Sequence, residues 1–137
     1  MSLRILIVDD HWLSRDAIRT AVKFCSGNQP EIVGEAADGT SGLELARTLH
    51  PDVVTMDVSL PDISGLEVTR LISTEMPEVK VVVVSMHSDW EYQQEAVKAG
   101  ASSYISKMHL IDELPAFLDH LAEMLSTQSA KHNDLGP

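Results

Sequence analysis

The sequence predicts an α/β domain in which five parallel strands are doubly wound, with helices on both faces, in a (βα)5 arrangement. Short β-branched runs alternate along the chain with longer segments of helical period. Several of those runs are apolar without interruption, as strands are when both of their faces are covered. The 137 residues are enough for one domain with a real core and too few for two ordinary ones.

The elements follow in order. "RILIVD" (4–9) is the first strand, and a helix over 13–25 carries Leu13, Ala17, Ala21 and Phe24 at helical spacing. "EIVGEA" (31–36) is the second strand, and the helix over 40–49 places Leu43, Ala46 and Leu49 on one stripe. "DVVTMD" (52–57) is the third, approached through Pro51, which lacks a backbone donor and suits that position. A shorter helix covers 65–74, and "KVVVVS" (80–85) is the fourth strand. In "SDWEYQQEAVKAG", Ser88 and Glu91 have capping-box spacing and Gly100 supplies the stop. "SYIS" (103–106) is the last strand, and a fifth helix spans roughly 110–125. Pro115 lies one turn inside that helix and removes a backbone hydrogen bond unless the helix starts later. The final residues, "STQSAKHNDLGP", lose the periodicity and read as a polar linker or tail, giving a domain over 1–125 and a tail over 126–137.

Composition removes several classes of function. Acidic residues number 21 against 10 basic, a net charge of -11, and no basic patch offsets a field that repels nucleic acid and anionic lipid. The single Cys25 has no intrachain disulfide partner and no cysteine metal framework, which points to a reducing compartment and a buried thiol. The apolar run in "MSLRILIVDD" meets carboxylates too soon for a signal peptide or a membrane span. A cytoplasmic location and no membrane partner are the expectation.

In a doubly wound sheet the carboxyl ends of the strands open into the crevice where ligands bind. Asp9 and Asp10 end strand one, Asp57 ends strand three, Ser85 ends strand four and Lys107 follows strand five. Taken singly, a strand-end aspartate commonly serves nearby backbone donors, and a lone Ser85, Lys107 or Tyr104 says little. Their joint placement at one rim is what points to a site. Three neighbouring carboxylates repel unless a cation intervenes, and oxygen-only ligands suit a hard ion such as Mg²⁺. Beside such an ion Asp57 can accept a phosphoryl group, with Lys107 as the fixed positive charge and Ser85 as a hydroxyl donor. The added charge can then rearrange a neighbouring loop, making the chemistry a switch.

These residues also carry a resemblance. "ILIVDD", "MDVSLPDISG", "VVVVS" and "KAGASSYISK", in this order and over about residues 3–125, resemble the receiver domains of bacterial two-component response regulators. "SLP" after the aspartate and "SMHSD" after strand four look most like the receivers that precede a helix-turn-helix transcription effector. The resemblance implies a flavodoxin-like strand order 2-1-3-4-5. It implies phosphorylation of Asp57 by a sensor histidine kinase, with Mg²⁺ held by Asp10, Asp57 and the Ser59 carbonyl and assisted by Asp9. Lys107 would pair with the phosphoryl group, Ser85 would move toward it, and Tyr104 would swing inward. Ser59 and His87 match positions that tune dephosphorylation. Ser85 stands where threonine is commoner, and Met108 stands where many relatives have proline, so a cis Lys107–Met108 bond would be costly. Asp62 is either a solvated turn residue or an influence on partner choice.

Expected partners are the kinase, a phosphorylation-dependent homodimer and DNA only through an effector domain not in this chain. The output face is expected on helix four, strand five and helix five, where Trp90 and Tyr92 would make exposed aromatic contacts unless Trp90 packs into the core. The alternatives are a stand-alone receiver and a phosphorylation-independent interaction module. A phosphohydrolase with an aspartyl nucleophile would want a second carboxylate where Ser59 stands, and no Gly-x-Gly-x-x-Gly follows strand one to bind a dinucleotide.

Overall fold

A computed structural model describes residues 2–87 and 89–135, with side chains through 127. Its strands are β1 (Arg4–Val8), β2 (Glu31–Ala36), β3 (Val53–Met56), β4 (Lys80–Ser85) and β5 (Ser103–Ser106). The helices are α1 (Trp12–Val22), α2 (Gly39–Leu49), α3 (Gly65–Glu75), α4 (Trp90–Ala99) and α5 (Leu110–Leu135). The strands form one parallel sheet in the order β2-β1-β3-β4-β5, as expected.

Strand period explains why the central runs are almost wholly apolar, the buried Thr55 of β3 being an exception. Ile5 and Ile7 face α1 and α5 together with Val53, Val82, Val84 and Ile105, whereas Leu6 and Val8 face α2 and α3 with Val54, Met56 and Val81. Each such side chain contributes roughly 1.5–3 kcal/mol on burial, so neither face tolerates a polar residue cheaply. A third, smaller cluster joins Val58, Val83 and Ala96, with Tyr92 and Tyr104 packed against it.

The stripe on α1 differs from the expected one. Leu13 and Phe24 are 65% and 61% exposed, and the buried set is Ile18, Ala21, Val22 and Cys25. That set keeps helical spacing but is rotated toward α5, whose Leu110, Leu114, Leu118 and Leu121 it meets in one cluster. Burial pushes the Cys25 thiol up to about 11, consistent with an inert core group.

Two helix boundaries also differ. Helix α4 starts one residue later than the capping-box reading, with Asp89 as its N-cap, and Ser88 lies outside the described residues. Gly100 does end it, at φ 101, where a side chain would be strained and would meet Ser73 Oγ at 2.4 Å. Helix α5 follows a short 3-10 turn over Lys107–His109, contains Pro115, and continues to Leu135 through the segment expected to be a linker. Pro115 deprives the Ile111 carbonyl of its helical donor, but Ile111 is exposed, so water can serve that carbonyl. The buried leucines of α5 hold the helix through this defect. No cis peptide bond occurs among the described residues, Lys107–Met108 included. No helix among them is long and apolar enough to cross a membrane.

Candidate phosphoacceptor site

Register brings the acidic residues together. Val8 pairs with Met56, so the next residues, Asp9 and Asp57, leave adjacent strands side by side at the carboxyl edge. The Asp57 backbone N–H donates to the Val8 carbonyl at 3.0 Å, and that of Asp9 to Ala36 at 3.0 Å, extending the ladder one residue into the site. Ser106 pairs with Ser85 at the other side of the sheet, and Lys107 follows directly.

Asp9 and Asp57 are 1% and 5% exposed. The Lys107 ammonium lies 2.8 Å from Asp9 Oδ2 and 3.7 Å from Asp57 Oδ1. Its approach to Asp9 is an ion contact without hydrogen-bond alignment, and Asp9 Oδ2 is left with no hydrogen-bond partner among the described residues. Burial, and then the neighbouring Asp9 charge, raise the Asp57 carboxyl above its ordinary value, against the opposing pull of Lys107 and the Ser59 N–H. One lysine thus faces more negative charge than it neutralises.

Asp9, Asp10, His11 and Asp57 each offer a ligand atom, and all of these lie within 4.8 Å of one another. The set fits a divalent cation on two grounds. Its carboxylate oxygens suit a hard ion, and the buried Asp9 Oδ2 has charge pairing from Lys107 but no aligned hydrogen bond. His11 Nδ1 lies 2.9 Å from Asp10 Oδ1, and the His11 N–H donates to Asp9 Oδ1 at 2.9 Å.

The remaining expected residues sit around this group. Ser85 is buried, and its Oγ accepts from the His87 N–H at 3.1 Å. Tyr104 is half-buried, and its hydroxyl donates to the His87 carbonyl in a short contact. Burial holds that hydroxyl above its ordinary value, partly offset by the neighbouring Ser85. The His87 ring is exposed and stacks on Tyr92, with centroids 4.4 Å apart and planes at 14°. Ser59 is exposed at the mouth of the site. Trp90, 71% exposed, is a surface residue.

Asp62 is neither a free turn residue nor part of the acidic cluster. Its carboxylate accepts from the Gly39 and Thr40 N–H groups at 2.7 and 2.9 Å and from Thr40 Oγ1 at 2.7 Å, and so fastens the loop after β3 to the start of α2. The side chain and backbone of Thr40, then Gly39, hold its carboxyl far below the carboxylate range. A depressed folded-state value means stability that is present above the unfolded value of 3.8 and is lost as pH falls. Asp62→Ala is therefore expected to lower the melting temperature at pH 7 by a few degrees, with the gap to the parent closing in acid below about pH 4. Thermal melts across pH check this, and a constant gap would contradict it.

Sequence reasoning missed His11, Ser14 and Arg15, all in the first turn after β1. Lys107 donates to Ser14 Oγ at 3.0 Å, and Arg15 donates to the Asp9 carbonyl at 2.8 Å while pairing with Glu35 at 3.2 Å. The signal was the set of polar residues His11, Ser14 and Arg15 in "DDHWLSR", since side chains in the first turn of a helix that follows a rim strand overhang the rim.

Comparison with known proteins gives a consistent result. The family model "Response regulator receiver domain" matches residues 5–127. Response regulator GacA of Pseudomonas aeruginosa is 40% identical over 82% of this chain and 51% of its own length. Transcriptional regulatory protein DegU of Brevibacillus brevis is 36% identical over 77% of this chain and 44% of its own. The chain spans about half the length of these curated relatives. Among solved structures, a two-component response regulator of the LuxR family from an Aurantimonas species superposes with a TM-score of 0.75 at 31% identity, covering 86% of each chain.

Proposed function

Given that the chain belongs to the response regulator receiver domains and carries the acidic cluster typical of phosphoaccepting members, we propose that Asp57 accepts a phosphoryl group from the phosphohistidine of a sensor histidine kinase. The single observation that carries this is the buried Asp57 carboxylate flanked by Asp9 and Lys107 at the open edge of the sheet. A carboxylate whose proton affinity is raised by burial is a better nucleophile than a solvated one, and this one stands at the carboxyl edge of the sheet.

An Asp57 oxygen forms the new P–O bond in line with the breaking P–N bond, whose electron pair leaves with the imidazole nitrogen. That nitrogen then takes a proton from water. Mg²⁺ is the ion proposed for the site, held by Asp10, Asp57 and the Ser59 carbonyl with Asp9 behind them, and when bound it supplies positive charge against the transferred oxygens. Lys107 supplies the fixed charge from the protein side. Ser85 is proposed to donate to a phosphoryl oxygen once its bond from the His87 N–H gives way. Tyr104 follows because its hydroxyl is tied to the same loop.

His87 and Ser59 are proposed to tune dephosphorylation, a reading supported by their exposure beside the site. The output passes through the face formed by α4, β5 and α5 to a homodimer or to a DNA-binding effector outside this sequence, as the transcriptional relatives suggest. A receiver domain over 1–125, acting in the cytoplasm, completes the proposal.

Removal of divalent metal is the direct test. With acetyl phosphate as donor, chelation is expected to abolish phosphoryl uptake and Mg²⁺ to restore it, while Lys107→Ala slows uptake by about 100-fold, the scale of one lost charge-stabilising group. Uptake indifferent to both would exclude this chemistry.

A further inference from the structure

The lysine at the site has a partner that the acidic cluster does not account for. Of the three groups nearest the Lys107 ammonium, Asp9 Oδ2 at 2.8 Å, Ser14 Oγ at 3.0 Å and Asp57 Oδ1 at 3.7 Å, only Ser14 receives a hydrogen bond from it. The carboxylates attract the ammonium through charge, which falls slowly with distance and sets no angle. A hydrogen bond is directional, so Ser14 fixes where the remaining N–H groups point.

We propose that Ser14 is a positioning residue for phosphoryl transfer: from the first turn of α1, across 93 residues of sequence, it holds the Lys107 ammonium between Asp9 and the oxygens arriving on Asp57.

The surroundings make this bond hard to replace. The Lys107 side chain and Ser14 line a cleft of about 190 Å³ whose other walls are Leu13, Ala17, Ile18, Met86 and Leu110. Ser14 is the only side chain among them that offers an oxygen. With alanine at 14, the ammonium keeps its two carboxylate neighbours and loses the contact that prevents it from collapsing between them. In that position it pairs with the Asp57 oxygens in the ground state, and its charge no longer lies where the transferred group needs it. Lys107 is only 13% exposed, so water competes poorly for the vacated direction. A threonine keeps the hydroxyl and adds a methyl at a partly exposed helix position, where it can be accommodated.

This inference rests on Asp57 being the phosphoacceptor, and the experiment separates the two. Acetyl phosphate supplies the group: its P–O bond breaks, acetate leaves with the electron pair, and an Asp57 oxygen forms the new bond. Initial rates at saturating donor and Mg²⁺ are read by intact mass for the parent, Ser14→Ala, Ser14→Thr, Lys107→Ala and the Ser14→Ala/Lys107→Ala double variant. Melting temperature and Mg²⁺ affinity are measured on each.

Ser14→Ala is expected to be roughly tenfold slower at saturation, since a misplacement of about 1 Å costs up to about a hundredfold and the shift expected here is smaller. Its Mg²⁺ affinity and melting temperature should stay near the parent's. Ser14→Thr should recover most of the rate, and Ser14→Ala should add nothing to Lys107→Ala, because both remove the same placed charge. A parent-like rate for Ser14→Ala, or the same tenfold loss when Lys107 is already absent, overturns the role of Ser14 while leaving Asp57 intact. If the parent itself takes up no phosphoryl group, the Asp57 assignment falls and the role of Ser14 falls with it.

Discussion

Asp57→Asn is expected to raise stability and abolish phosphoryl uptake together. The carboxylate is 5% exposed and lies beside Asp9, and both burial and that neighbour push its proton affinity up. A folded-state value raised above the unfolded one favours folding at low pH, and that contribution is lost as pH rises through the folded value. At neutral pH the ionised Asp57 therefore weighs against the fold. Asparagine keeps the shape, can still accept the Ser59 N–H and removes the charge, while Lys107 retains Asp9 at 2.8 Å. The gain should be on the order of 1 kcal/mol, as when other poorly compensated buried charges are replaced by neutral groups of similar size. The amide has no anionic oxygen to attack phosphorus, so uptake should be undetectable. Urea unfolding at pH 7 and pH 4 checks the sign: the advantage over the parent should shrink at the lower pH, and a destabilised variant would show that Asp57 serves the fold.

Gly65→Ala should damage the site through the backbone alone. A Cβ built there would lie 1.8 Å from the Asp57 carbonyl oxygen and 2.7 Å from its carbonyl carbon. No rotamer relieves a clash between two backbone segments, so either α3 moves outward or the chain at Asp57 moves inward. The Gly65 N–H also donates to the Val58 carbonyl at 2.9 Å, and Ser64 caps α3 by accepting from the Leu66 N–H, so the loop is held at both ends of the collision. The cost should be at least about 2 kcal/mol, in the range of core overpacking. Because Asp57 itself is displaced, phosphoryl uptake should fall about 100-fold or more in the fraction that still folds. Chemical denaturation and uptake by the folded variant check the two effects. A stable, active Gly65→Ala would mean that the close approach does not constrain the acceptor.

The sheet was legible because both of its faces are covered. "ILIV", "VVTM" and "VVVVS" have no polar alternation to mislead, and the turn at Gly100 requires a φ that few other residues adopt. Strand ends place side chains at a known rim, so Asp9, Asp57 and Lys107 meet where the parallel topology puts them. Helix α1 was harder to read, because Leu13, Ala17, Ala21 and Phe24 and the buried Ile18, Ala21, Val22 and Cys25 are both stripes of helical spacing. Only the position of α5 chooses between them, and that is a tertiary fact. The length of α5 was obscured by polar residues that favour neither helix nor loop strongly and by a proline that packing tolerates. Asp62 at α2 and Ser14 at Lys107 are contacts between segments far apart in sequence. A local pattern can place Ser14 at the rim, but which residue each side chain reaches is set by tertiary packing.

The central claim is that this chain carries one phosphoryl group on Asp57, and intact-mass spectrometry tests it most directly. The parent and Asp57→Asn are incubated with Mg²⁺ and, in turn, acetyl phosphate, phosphoramidate and a phosphorylated histidine kinase. A gain of a single phosphoryl group by the parent, dependent on Mg²⁺ and absent from Asp57→Asn, is the predicted result. No gain from any donor, or an equal gain in the variant, would contradict it and leave this receiver fold as an interaction module.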